Sequence, residues 1–136
     1  MLVGVLKTVQ TGQVGIRSIL DTNMRPGLRK ALERQLRELD AIESEAHVIA
    51  SQRGWELPEL DPAVRFFSDR ISRMKLTHGN SDSKIADMMI LCNTKGMIKN
   101  LKSLHQYPRQ DDRICGISQK LIDCETANIR QMQSFL

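Results

Sequence analysis

Apolar residues recur along this chain at three- and four-residue intervals, the spacing of a helix with one buried face. The first run, Val5, Val9, Gly12, Ile16 and Leu20, makes a stripe on a helix expected over about residues 2–21. Gly4, Gly12 and Gly15 each weaken that helix by up to ~1 kcal/mol relative to Ala, so close approach of a neighbouring helix is expected at those points. Asp21-Thr22-Asn23 breaks the pattern, and Pro26 suits a first helical turn. A second helix over about residues 25–53 carries the stripe Leu28, Leu32, Gln35, Leu39, Ile42, Ala46 and Ala50. It stops at Gly54, with Trp55 placed to fold back on the last turn.

After a linker that contains Pro58, Asp61-Pro62 reads as an N-cap and first-turn proline. They open a shorter helix through Val64, Phe67, Ile71 and Met74, which Thr77-His78-Gly79-Asn80 interrupts. Ser81 or Asp82 caps the next long helix, which runs to about Gln106 and is ended by Tyr107-Pro108. Ala86, Ile90, Met97, Leu101 and Leu104 form one of its stripes, and Ile85, Met89 and Cys92 a second, so it packs on two sides. Its second partner is expected to be the short helix bearing Phe66 and Phe67. Asp111 or Asp112 starts the last helix, with Ile114, Ile117, Leu121, Met132 and Phe135 on one face. Strand-like alternation and internal repeats are missing. The expected fold is a single all-α domain over residues 1–136: an antiparallel four-helix bundle with an additional short helix before the third long one.

Composition narrows the class. The chain has 40 % apolar and 26 % charged residues, with 4 % aromatics, in a helix-forming vocabulary. No apolar stretch nears the ~20 residues of a membrane span, and the first residues do not read as a secretory signal. Three cysteines without regular spacing suggest reduced thiols and a cytoplasmic setting. The net charge of +4 is mild, and its densest patch, Arg25 to Arg37, is interleaved with Glu33. That is a solvated face, so neither nucleic acid nor membrane is an expected partner.

Helical phasing also places a layer of polar residues inside the apolar stripes: Gln13, Glu43, Asn93, and Glu125 with Asn128. One polar group from each helix at mid-height is how a bundle builds a metal site. Two readings stand. In one, the two carboxylates and the amide oxygens hold a hard cation, with His47 one turn beyond Glu43 as a further ligand. In the other, the layer is a hydrogen-bonded network that fixes the register of the bundle, any buried acid being paired with an amide or protonated. Amides are poor ligands for iron or zinc, which favours the network. His78 and His105 have no partner in sequence, and Cys92 and Cys124 read as structural thiols. No phosphate loop or hydrolase motif is present.

This arrangement resembles the ferritin-like superfamily, whose metal-binding members carry a Glu on two helices and Glu-x-x-His on the other two. By position the first Glu corresponds to Gln13, the second-helix motif to Glu43-Ser44-Glu45-Ala46, the third-helix Glu to Asn93, and the last motif to Glu125-Thr126-Ala127-Asn128. Both histidines and two of the four acids are thus replaced. Ser51-Gln52-Arg53-Gly54-Trp55, with Ile85-Ala86-Asp87-Met88-Met89-Ile90 and Lys95-Gly96-Met97-Ile98, is similar to a small Firmicute-type bacterial group within that superfamily. The Gly-Trp ending is also similar to spore-coat F-like domains. The resemblance implies a ferritin-like fold without a functional di-iron site, hence no catalytic residues and no cofactor. The expected role is association with a partner protein or with itself, as a homodimer. The alternative is a metal-binding protein that holds iron or manganese through Glu43, His47 and Glu125. A third possibility is a small apolar ligand lodged between Met-lined helices.

Overall fold

The structure is a computed structural model in which residues 1–57, 81–107 and 111–136 are described. These residues form four helices and no strand: α1 (Leu2–Leu20), α2 (Pro26–Gln52), α3 (Ser81–Gln106) and α4 (Asp112–Gln133). The short helix expected between Asp61 and Met74 lies outside the described residues, as do Pro58, His78 and Pro108. Among the described residues no helix is long and apolar enough to cross a membrane.

Each helix is made by its stripe and bounded by local chemistry. Pro26 occupies the first turn of α2, where its missing N–H removes no helical bond. The C-terminal end of α2 closes as the spacing predicts. Gly54 takes φ +66°, Gly54 N donates to Ser51 O, and Trp55 N donates to Ala50 O at 2.9 Å. That pair of reversed bonds needs a left-handed residue, which Gly supplies without strain. The Trp55 side chain does not bury itself on the last turn; it stays exposed, with the Arg53 guanidinium 5.5 Å from its ring. Asp111 caps α4, accepting from Arg113 N at 2.8 Å.

The helices pack around one core in the ring order α1, α2, α4, α3, with α3 against α4 the most extensive pair and α3 against α1 much sparser. Val5, Val9, Ile16 and Ile19 from α1 meet Leu28, Leu32 and Ile49 from α2. Ile85 and Ala86 from α3 join Ile114, Ile117, Leu121 and Met132 from α4. Each fully buried Leu, Ile or Met contributes about 1.5–3 kcal/mol. Beyond Met89, α3 is less covered: Ile90, Met97, Leu101 and Leu104 are half-buried. Leu20 and Phe135, expected on core stripes, are also half-buried.

The glycines of α1 differ from one another. A Cβ at Gly12 would stand 2.9 Å from Leu39 Cδ1, so α1 and α2 do approach closely there. Gly15 is buried. Gly4 has nothing within 4 Å of its would-be Cβ, so no close helix contact accounts for it.

Candidate functional site

The sparse packing of α1 against α3 leaves a cavity of about 400 Å³. α1 and α3 supply most of its wall, and α2 and α4 close it from within. Two features open it. Gly12 and Gly96 bring no side chain to the wall, and Thr8 and Thr11 on α1 with Cys92 and Asn93 on α3 bring only short ones. Ile16, Leu39 and Met89 give it an apolar surface. Lys7, Lys95 and Lys99, all exposed, form its rim.

The inner wall is polar and deeply buried. Gln35 is 0 % exposed, Glu125 3 % and Asn128 2 %, and all three line the cavity. Gln35 Nε2 donates to Gln131 Oε1 at 3.4 Å, and Asn128 Nδ2 to Cys124 Sγ at 3.6 Å. Their oxygens are unmet: Gln35 Oε1, Asn128 Oδ1 and Glu125 Oε2 have no hydrogen-bond partner among the described residues. Leaving such an atom buried and unpaired costs about 1–3 kcal/mol. Burial pushes the Glu125 carboxyl up from 4.5 to about 8, so at neutral pH it is mostly the uncharged acid.

Glu125 is wedged under α3. A Cβ at Gly96 would run into the Glu125 carboxyl and come within 2.9 Å of Thr8 Cγ2. Only glycine lets the three helices α1, α3 and α4 meet at this level without moving that acid.

The five residues expected to form one polar layer are not brought together as one. Glu125, Asn128 and Asn93 reach the cavity, with Asn93 half-buried and its Nδ2 donating to Met89 O at 2.8 Å. Gln13 is buried but turns to α2, where its Nε2 donates to Asp40 Oδ1 at 2.8 Å. Glu43 is only half-buried and does not line the cavity. Its place in the sequence, one residue past buried Ile42 and three before buried Ala46, sets it at the edge of the stripe. Phasing to within a residue separates core from edge poorly, because one step is about 100°.

His47 is exposed and apart from the cavity, as is His105. Glu43, His47 and Glu125 therefore do not converge. Among the described residues no three His, Cys, Asp or Glu side chains come together in a group that could hold a metal ion. The neighbours of Glu125 at the cavity are amides, hydroxyls, a thiol and lysines, a donor set that does not fit an iron or manganese centre.

The thiols also separate. Cys92 lines the cavity. Cys124 donates through Sγ to Glu38 Oε2 at 3.2 Å, and burial with that carboxylate pushes its thiol up to about 12. It is a structural group rather than a nucleophile.

Sequence reasoning passed over three kinds of site residue. Gln35 stood plainly in the α2 stripe between Leu32 and Leu39, and its polarity there was the available signal. Gly96, in mid-helix, was a second signal, since it costs ~1 kcal/mol relative to Ala unless space demands it. The lysine rim carried no signal, because lysines on a helix flank are ordinary. Comparison of the chain with known protein families, curated proteins and solved structures finds no match.

Proposed function

We propose that this chain is a non-catalytic, ferritin-like antiparallel bundle that holds a small, largely apolar molecule in the cavity between α1 and α3. The observation that carries the reading is a cavity of about 400 Å³ whose inner wall presents buried oxygens without partners. Ligand pockets are of this kind: roughly 300–1,000 Å³, mostly apolar, with a few polar groups that fix orientation. A core built only for stability would be expected to close such a gap, because each lost contact costs packing energy.

The antiparallel arrangement is supported by pairs along α2 and α4. Arg53, just past the end of α2, pairs with Asp111 at the start of α4. Lys120 and Glu45 follow at 3.0 Å, then Gln131 and Gln35. A binding rather than catalytic role is supported by the lining, in which, among the described residues, no histidine and no second carboxylate stands beside Glu125. The cavity adds an interior function to the surface association expected from the sequence.

The test is a titration with the neutral fluorophore N-phenylnaphthylamine. One molecule should bind per chain with enhanced emission. The binding should be lost in Thr11→Phe, which fills the cavity from α1, while circular dichroism shows the helices intact. No saturable binding, or equal binding in Thr11→Phe, would remove the proposal.

A further inference from the structure

Resting on the binding role proposed above, we infer that the occupant is an amphiphilic anion. Its acidic head sits at the Lys7, Lys95 and Lys99 rim, and its apolar body ends in a hydroxyl that meets Asn128 and Gln35 in the interior.

Charge sets the direction. The exposed groups around the opening are three lysines, two from α3 and one from α1. Among the described residues neither Lys7 nor Lys99 is held in an ion pair. A rim of one sign concentrates ligands of the other. The carboxyl inside does not oppose an anion, because Glu125 is mostly uncharged near neutral pH.

Length and polarity set the other end. Lys7 and Ile16 are separated by about 14 Å of helix rise on α1, and Lys99 and Met89 by about 15 Å on α3. The lining thus runs from lysines at one end to apolar side chains at the other, a span suited to a chain of about ten carbons. Glu125 lies opposite Gly96, one turn from Lys99. Asn128 is a turn further along α4, and Gln35 further still, beside Gln131. Both leave an oxygen that accepts nothing, so the far end of the ligand donates to one of them through a single O–H. A hydroxyl donates without bringing a second charge past the lysines, which an ammonium would not.

Protonation of Glu125 links binding to pH. The charged or titratable groups facing it are Lys7 from α1, Lys95 and Lys99 from α3, Cys92 at the cavity, and Cys124 with its partner Glu38. Ionisation of Glu125 puts a negative charge beside the bound anion, so affinity should fall by up to about tenfold per pH unit above 8.

The experiment is isothermal titration calorimetry with ω-hydroxydecanoate, decanoate and decanediol. Wild type is compared with the triple variant Lys7→Ala/Lys95→Ala/Lys99→Ala and with Glu125→Gln. Wild type should prefer ω-hydroxydecanoate over each of the others by about fivefold or more, decanoate losing the hydroxyl and decanediol losing the charge. The lysine triple variant, altered only at exposed positions, should erase the preference over decanediol and keep that over decanoate. Glu125→Gln should abolish the loss of affinity at alkaline pH. Equal binding of decanediol and ω-hydroxydecanoate to wild type overturns the inference, as does a charge preference that survives removal of the lysines. If none of the three binds while N-phenylnaphthylamine does, the ligand class is wrong and the cavity role stands. If the fluorophore fails as well, the role itself fails.

Discussion

Glu125→Gln should make the folded protein more stable, by an amount that grows with pH. In the folded chain burial raises the carboxyl from 4.5 to about 8; in the unfolded chain it titrates near the lower value. Below pH 4.5 both states are protonated and the carboxyl has no pH-linked effect. Between 4.5 and about 8 the unfolded state ionises and the folded state does not, so stability falls as pH rises. Above 8 both are ionised and the loss levels off. At about 1.4 kcal/mol for each pH unit, the full loss is about 5 kcal/mol, with about 3 kcal/mol already gone at pH ~7. Screening removes little of this, because Glu125 is only 3 % exposed. Against a typical stability of ~5–15 kcal/mol it is a large term. Glutamine occupies nearly the same space and does not titrate, so any packing penalty it brings is independent of pH. Urea unfolding of both proteins between pH ~5 and ~8 gives the difference curve, in which every other titrating group cancels. The difference should widen in favour of Glu125→Gln by about 3.5 kcal/mol across that range. A flat difference, or one that narrows, would refute the claim that this acid is held neutral by burial.

Three further outcomes follow from the same structure. Gly96→Ala should destabilise by ~1–2 kcal/mol in chemical unfolding, despite the better helix propensity of Ala, because its Cβ meets Glu125 and Thr8. Most of that loss should vanish in the Glu125→Ala background, a coupling a double-mutant cycle measures. Ser118→Ala should raise stability by about 1 kcal/mol, read from the unfolding midpoint, since the buried Ser118 Oγ has no hydrogen-bond partner. Native Cys124 should react with iodoacetamide on the order of 1000-fold more slowly at pH ~8 than in the unfolded chain, followed by peptide mass spectrometry, because its thiol is pushed from 9.0 to about 12.

The four long helices were legible in the sequence because they depend on local facts. Stripes at helical spacing, Pro26 at an entry, Gly54 at an exit and Asp111 as a cap each act within one turn, so position in the chain suffices to place them. The burial of Gln13, Glu125 and Asn128 was equally readable, since phase on one helix decides it. Phase says nothing of what stands opposite. Gln13 finds Asp40 and Asn93 its own backbone, while Glu125 and Asn128 come to a wall shared with Gln35. Those outcomes depend on how closely the helices approach: α1 to α2 where Gly12 is seated on Leu39, α3 to α4 where Gly96 is seated over Glu125, and α3 to α1 where Gly96 meets Thr8. A helix separation is a property of four surfaces fitted together, and no single stripe encodes it. Only the tertiary structure therefore decided that the polar residues border a cavity, and that burial there keeps an acid uncharged.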